Sequence, residues 1–372
     1  MGLQVCAIDA ERHRRFLLET AAAGRPCHVS FLQSPAWGRV KCAWRPESLG
    51  WYAGSDLVGT ALVLHRQLLG RRSLAYIPEG PTVDWFGSGR DAATWLRPII
   101  AYLRGRGVFS VKLGPKVVAR RLSAATVKAA MVDGAAATFV DVPGDADDEA
   151  RRLIEELEAL GWRRHGSSDH GIVDVQPRHF VEIPLRGRTS ADVFASFNAQ
   201  WRRNVRLADR AGVKVWQAST EDLPVFHAMY LETAERDRFL PRPLSYFQRM
   251  FDEFDGVRLY LAGAEGIPSA AATMVRFGSR AWYGYGASSN ERRELRAPTA
   301  LQWQMIQDCL EDGLDWYDLR GVGETLDPEH PMFGLLRFKI GTGGDLVEYP
   351  GEYDLALNRP LAAALRIYLL LR

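Results

Sequence analysis

Val58-Gly-Thr-Ala-Leu-Val-Leu-His65, then Leu74-Ala-Tyr-Ile-Pro-Glu-Gly-Pro81, then a helical pattern from Ala92 to Arg106, then Val108-Phe-Ser-Val-Lys-Leu-Gly114, reads as strand, strand, helix, strand. The runs are short and apolar and are bounded by Gly, Pro and polar turns such as Gly54-Ser55-Asp56. The stretch from Ala92 instead repeats its apolar residues at helical spacing. About 208 residues downstream the same order returns. Gly263-Ala-Glu-Gly266 leads into Ser269-Ala-Ala-Ala-Thr-Met-Val-Arg276, and Ala281-Trp-Tyr-Gly-Tyr-Gly-Ala-Ser-Ser289 follows. A helix from Ala300 to Leu310 and the strand Leu314-Asp-Trp-Tyr-Asp-Leu-Arg-Gly321 complete the copy. Matched order at a fixed offset points to one α/β unit used twice.

The 372 residues fit two domains, and 47% hydrophobic content is ample for two cores. The first domain is expected over 1–175 and the second over 176–350, with 351–372 returning to the first. Net charge is +2, so whole-chain basicity does not announce nucleic acid, and local clusters must carry any such claim. Cys6, Cys27, Cys42 and Cys309 form no Cys-x-x-Cys pair and have no His at ligand spacing, which reads as free thiols in a reducing compartment with neither metal nor cofactor. Met1 to Arg15 is too polar for a signal peptide, and no stretch reaches the roughly 20 apolar residues of a membrane span. A cytoplasmic protein is expected, with peripheral contact at the inner membrane face left open. The C-terminal run from Leu361 to Arg372, interrupted by Arg366, reads either as a helix packed on the core or as an amphipathic helix at a membrane surface.

Between the copies, Asp145-Ala-Asp-Asp-Glu149 is an acidic turn capping a helix from Arg151 to Leu160, and Gly161 to Arg178 reads as irregular crossing chain. His179-Phe-Val-Glu-Ile-Pro184 is a strand opening the second domain. A helix from Ser190 to Ala211 is expected next, capped by Ser190, with Val193, Phe194, Phe197 and Trp201 at helical spacing. Glu221 to Arg236 and Ser245 to Phe254 read as helices separated by Pro241 and Pro243.

Three groups of residues can carry chemistry. Trp201-Arg-Arg-Asn-Val-Arg206 sets Arg202 and Arg206 four apart on one helix face with Arg203 beside them, which admits an RNA or polyphosphate contact or an ordinary solvated face. Arg236, Arg238 and Arg242 stand around a Pro-stiffened loop, which presents side chains rather than packing them. In Phe333-Gly-Leu-Leu-Arg-Phe-Lys-Ile-Gly-Thr-Gly-Gly344, Lys339 lies in an apolar run before a Gly-rich turn, so its ammonium would sit in a partly dry cleft suited to an oxyanion or a phosphate. Those glycines admit either close approach of a ligand or a tight turn. Neither Pro78-Glu-Gly-Pro-Thr-Val-Asp84 nor Ala287-Ser-Ser-Asn-Glu-Arg-Arg293 supplies the Gly-rich pyrophosphate turn that acetyl-CoA requires, and no Walker loop, Gly-x-Ser-x-Gly elbow or His-Glu-x-x-His occurs.

Taken in order, Phe31-Leu-Gln-Ser-Pro-Ala-Trp-Gly-Arg-Val-Lys41, Tyr76-Ile-Pro-Glu-Gly-Pro81, Gln176-Pro-Arg178, Trp201 to Arg206, Thr233-Ala-Glu-Arg-Asp237, Gly286-Ala-Ser-Ser289, Tyr317-Asp-Leu-Arg-Gly321 and Phe338-Lys-Ile-Gly341 resemble the Fem-type (FemABX) aminoacyltransferases nearly end to end. That family builds peptidoglycan interpeptide bridges from aminoacyl-tRNA. The resemblance is nearest to its actinobacterial FemX-like lipid II glycyltransferases. It implies an α/β (α+β) protein of two tandem GNAT-like domains, mixed twisted sheets flanked by helices, with a substrate channel between them.

It further implies that Lys41 and Arg242, with Trp37, Arg236, Tyr283 and Tyr76 around them, bind the acceptor, either lipid II or a UDP-MurNAc-pentapeptide. Lys339 beside Phe338 would meet the aminoacyl ester, with Tyr285 also at the reacting groups, and Arg202, Arg203 and Arg206 would meet the tRNA. Aminoacyl-tRNA is then a co-substrate and no bound cofactor is needed. Two features depart from the family. Gly114-Pro115 stands where many relatives carry Asp before Pro, and no long heptad stretch supplies the coiled-coil arm of staphylococcal members. Two rival functions remain: the same chemistry in peptide-antibiotic assembly, and a non-catalytic nucleic-acid or nucleotide-binding protein that kept the fold.

Overall fold

The computed structural model describes residues 2–24, 27–70, 72–164 and 176–370. In chain order the elements are β1 (Gln4–Ala7), α1 (Ala10–Ala22), α2 (Pro35–Val40), β2 (Arg45–Ala53), β3 (Asp56–Leu69), β4 (Arg72–Ile77), α3 (Ala92–Gly105) and β5 (Val108–Leu113). Then come β6 (Arg120–Leu122), α4 (Ala124–Asp133), β7 (Asp145–Ala146), α5 (Asp148–Ala159) and β8 (Arg163–Arg164). They are followed by β9 (His179–Pro184), α6 (Ser190–Ser196), α7 (Ala199–Arg210), β10 (Lys214–Ala218), α8 (Leu223–Asp237), α9 (Leu244–Glu253) and β11 (Val257–Ala264). The chain ends with β12 (Ile267–Phe277), β13 (Arg280–Ser288), α10 (Ala297–Glu311), β14 (Trp316–Val322), α11 (Phe333–Ile340), β15 (Asp345–Glu348), β16 (Tyr353–Ala356) and α12 (Arg359–Leu370).

Two compact units result. The first comprises Met1–Arg120, Asp145–Arg178 and Glu348–Arg372, and the second comprises Arg121–Gly144 and His179–Val347. The segment 121–144, which the sequence reading leaves inside the first domain, falls in the second unit.

The first unit's sheet runs β1-β2-β3-β4-β5-β16-β8, and the second unit's runs β10-β11-β12-β13-β14-β9-β15-β6. The repeat is more complete than periodicity shows. The series β1-α1-α2-β2-β3-β4-α3-β5 is matched element for element by β10-α8-α9-β11-β12-β13-α10-β14. In both, the neighbouring strands are antiparallel until the last pair, β4–β5 or β13–β14, which is parallel and joined by a crossover helix. Each sheet then adds an antiparallel strand from outside the repeat: β16 beside β5 and β9 beside β14.

Alternation sets the cores. Leu49 and Trp51 of β2, Ala61 and Val63 of β3, and Ala75 and Ile77 of β4 share a face with Trp95, Leu96, Ile99 and Leu103 of α3. The Trp51 Nε1 donates to the Trp95 carbonyl at 2.8 Å, so the indole is buried without an orphaned donor. In the second unit Ala270, Ala272 and Met274 of β12 meet Leu301, Met305 and Ile306 of α10, each of the larger side chains contributing about 1.5–3 kcal/mol by leaving water.

The helix expected from Ser190 to Ala211 is two helices. Thr189, not Ser190, caps the first: its hydroxyl accepts from Asp192 N while the Asp192 carboxylate accepts from Thr189 N, a reciprocal box that outcompetes a start one residue later. Phe197 is extended, with φ −61° and ψ 143°, and Asn198 starts α7 by accepting from Trp201 N. In the same way α5 starts at Asp148, three residues before the expected Arg151, because Asp147 caps it. Most of the expected irregular crossing, 165–175, lies outside the described residues. No helix among the described residues is long and apolar enough to cross a membrane. The longest in the second unit, α8 and α10, have 15 residues each, so no coiled-coil arm is present among them.

Candidate functional site

The two parallel strand pairs differ in how far they hold together. In the first unit β4 and β5 stay paired to Ile77 and Leu113, at the ends of both strands. In the second, β13 and β14 pair only at Arg280, Ala281 and Trp282 with Trp316, Tyr317 and Asp318, although β13 continues to Ser288 and β14 to Val322. Past Trp282 and Asp318 the strands part. The register of β14 against β9 also shifts between Asp318 and Gly321, and Arg320 adopts φ +65°, a left-handed conformation that costs a non-glycine residue energy. Asp318 Oδ1 accepts from Arg320 N at 2.6 Å and so fastens this turn.

Lys339 points at the parted edge of β14. Its Nζ donates to the Gly321 carbonyl at 2.7 Å, and the residue is only 4% exposed. Burial pushes its pKa down to about 7, with Arg320 adding to the fall and Asp318 opposing it. The helix carrying it, α11, is held by α7. Trp201 Nε1 donates to the Phe338 carbonyl at 2.7 Å, and the Trp201 and Phe338 rings lie 4.8 Å apart. The Gly-rich turn after Lys339 serves this packing rather than a ligand. A Cβ at Gly341 would strike the Trp201 indole, one at Gly343 would strike the Ser196 carbonyl, and one at Gly344 would crowd the Glu182 carbonyl at 2.9 Å. The turn thus fixes the ammonium's position.

On β13 a bulge separates two tyrosines that alternation alone would put on one face. Thr273 pairs with Tyr285 and Met274 with Tyr283, leaving Gly284 as the extra residue. Tyr283 turns to the core on the α10 side and hydrogen-bonds Gln302, which also accepts from the Tyr317 hydroxyl at 2.7 Å. Tyr285 turns to α8 and α9, where its hydroxyl donates to that of Tyr246 at 3.0 Å and its ring meets Phe247 edge-on at 5.0 Å. The Arg242 guanidinium lies 5.5 Å over the Tyr246 ring. Arg236 does other work: it donates to the Ser288 carbonyl at 3.1 Å and to Asn290 Oδ1 at 2.9 Å and pairs with Asp237, tying α8 to the end of β13. Of the arginines expected at the tRNA, Arg202 donates to the Ala195 and Phe197 carbonyls and so caps α6. Arg206 lies 5.7 Å from the Phe194 ring, and Arg203 is exposed.

In the first unit Ser34 caps α2, and Lys41 follows its last turn with Nζ 4.5 Å over the buried Trp37 ring. Tyr76 is drawn elsewhere. Its hydroxyl donates to Glu352 at 2.6 Å inside a buried polar group, and burial with that carboxylate raises its pKa well above the ordinary phenol. Lys112 lies 3.3 Å from Asp354 and 3.9 Å from Glu352, while Lys116 and Ser30 meet Glu79. Gln33 joins two of the sequence motifs: Nε2 donates to Pro78 O at 2.5 Å and Oε1 accepts from Leu62 N. Gly80 passes so close to that carboxamide that a Cβ there would collide with it, so Phe31-Leu-Gln-Ser-Pro35 and Pro78-Glu-Gly-Pro81 are two halves of one packed corner.

Sequence reasoning missed Asp318, Arg320, Gln302, Glu79, Lys112, Lys116 and Glu352 as members of these groups. Lys112 does carry a signal, a lysine within the apolar run of β5, but nothing local marks Glu352, which lies 276 residues from its partner Tyr76. Among the described residues no cluster of three or more His, Cys, Asp or Glu is placed to hold a metal ion.

Comparison with known proteins matches residues 23–265 and 261–368 to the FemAB family. The lipid II:glycine glycyltransferase of Staphylococcus saprophyticus subsp. saprophyticus is 27% identical, over 89% of this chain and 89% of that protein. The crystal structure of FemX superposes with a TM-score of 0.78 at 22% identity, over 97% of this chain and 99% of that one. A tandem GNAT protein from the clavulanic acid biosynthesis pathway superposes with a TM-score of 0.52 at 15% identity, over 96% and 99% of the two chains. The two sheets are therefore tandem GNAT-like domains.

Proposed function

The chain belongs to the FemAB family, and on that premise we propose that it transfers glycine from aminoacyl-tRNA to the stem-peptide amine of lipid II, forming a peptidoglycan bridge. The observation that carries the reading is Lys339, a nearly buried ammonium held at the point where β13 and β14 part. The relative named above as a lipid II:glycine glycyltransferase supports both the acceptor and the amino acid.

In this reading the acceptor amine attacks the ester carbonyl at the tRNA 3′ end. A C–N bond forms, and the carbonyl oxygen becomes an oxyanion that Lys339 stabilises by donating a hydrogen bond. Collapse breaks the ester C–O bond. The nitrogen loses a proton, and the departing ribose oxygen gains one. Because the ester is already activated, positioning supplies much of the rate and no catalytic triad is required. Trp201 and the glycines of 341–344 hold α11 so that the cation needs no reorganisation. Arg242, exposed above Tyr246, is assigned to an acceptor phosphate, and Lys41 in the first unit to the same class of group. Of the three arginines expected at the tRNA, Arg203 and Arg206 remain open to its backbone.

The test offers glycyl-tRNA with lipid II, with the UDP-linked muropeptide and with a free peptide, each with and without ribonuclease. Ribonuclease-sensitive labelling of lipid II supports the proposal. Labelling of the free peptide alone assigns the protein to peptide-antibiotic assembly, and no labelling of any acceptor contradicts a transferase.

A further inference from the structure

The connection between α8 and α9, Arg238-Phe-Leu-Pro-Arg-Pro243, carries its apolar tip outward. Leu240 is 93% exposed and Phe239 is 40% exposed. The loop is nevertheless held on both sides of that tip. Phe239 N donates to the Ala234 carbonyl at 3.1 Å, and its ring lies 5.5 Å from Tyr230. The Arg242 backbone bonds to the Tyr230 hydroxyl, and the Arg242 carbonyl is 3.0 Å from His227 Nε2. Pro241 and Pro243 fix two further φ angles. A leucine presented by so constrained a loop loses little chain entropy when it is covered, and covering it removes apolar surface from water. The neighbouring charges select the cover. Arg238 and Arg242 flank Leu240 and are both exposed. Arg236 pairs with Asp237, and the next exposed acid along the sequence is Glu235 on α8.

We propose that this loop is a membrane-contact element, with Leu240 entering the boundary between headgroups and acyl chains of an anionic bilayer while Arg238 and Arg242 lie among the headgroup phosphates. The inference shares Arg242 with the acceptor assignment but rests on Leu240 and Arg238, which that assignment does not use. It is nonetheless coherent with a phosphate bound by Arg242 at headgroup depth.

The test is flotation of the full chain with vesicles of phosphatidylglycerol and phosphatidylcholine in equal parts, and with phosphatidylcholine alone, without any acceptor or tRNA. Binding is expected to the anionic vesicles and to weaken as salt rises. Leu240→Asp is expected to bind about tenfold to a hundredfold more weakly, the loss of one inserted leucine, and Arg238→Gln about fivefold more weakly, the loss of one cation near the surface. Both substitutions are at exposed positions, and unchanged near-ultraviolet circular dichroism checks that the fold persists. Transfer to a detergent-solubilised acceptor is read alongside, so that lost lipid binding is separated from lost chemistry. The proposal is overturned if the wild-type chain ignores anionic vesicles, or if Leu240→Asp binds them as well as wild type. It is equally overturned if Ile367→Asp, on the exposed side of α12, abolishes binding while Leu240→Asp does not.

Discussion

Replacing Lys339 by Met is expected to abolish transfer and, at neutral pH, to make the protein more stable. The second effect follows from burial. The Lys339 pKa falls from 10.5 to about 7, so the folded chain binds this proton less tightly than the unfolded chain. Between those two values the unfolded state holds more protons at this site, and wild-type stability therefore rises with pH across the window. Below pH 7 the full penalty applies. A fall of some three to four pKa units corresponds to roughly 4–5 kcal/mol, at about 1.4 kcal/mol per unit. Met keeps the unbranched apolar stem but leaves the Gly321 carbonyl without the ammonium donor, a loss of about 1–3 kcal/mol. The net gain for Lys339→Met at pH 6 is thus about 1–4 kcal/mol by these magnitudes.

The assay is urea unfolding of both proteins at pH 6 and pH 10, read as the difference between them, in which the groups not coupled to Lys339 cancel. The variant is expected to be the more stable at pH 6, and the gap to close or reverse toward pH 10. A variant less stable than wild type at pH 6, or a difference that does not change with pH, would refute a buried, depressed lysine.

Further outcomes follow from the same contacts. Gly341→Ala forces a methyl into the Trp201 ring and is expected to cost about 1–3 kcal/mol and to lower kcat more than it changes KM, because it moves α11 rather than a substrate group. Arg242→Ala is expected to raise KM for the phosphate-bearing acceptor while leaving KM for aminoacyl-tRNA unchanged, as initial-rate kinetics with each substrate varied will show. Tyr76→Phe removes a buried donor from Glu352 and is expected to destabilise the first unit by about 1–3 kcal/mol in thermal unfolding.

What the sequence could disclose is what is local. The runs at 58–65, 74–81, 108–114 and their counterparts announced themselves through alternation and turn residues, and each is a strand or a strand ending in a turn. The matching of β1 with β10, and of α1 and α2 with α8 and α9, escaped notice because their helices differ in length and share no motif. Nothing at Tyr353–Ala356 marks it as the strand that lies beside β5, since pairing across so long a separation leaves no trace in a window of neighbours. The site divides in the same way. Lys339 was conspicuous as a charge inside an apolar run, whereas Asp318 and Arg320 gained their place from a turn whose strain appears only in three dimensions. The glycines of 341–344 were equally visible, but only the Trp201 ring and the Ser196 carbonyl reveal them as packing residues rather than ligand contacts.

The most direct measurement is transfer of labelled glycine from charged tRNA to lipid II by the wild-type chain and by Lys339→Met, with ribonuclease controls. The account predicts labelled lipid II with the wild type, loss of that label after ribonuclease, and none with the folded variant. Full labelling by Lys339→Met, or wild-type labelling that survives ribonuclease, would contradict it.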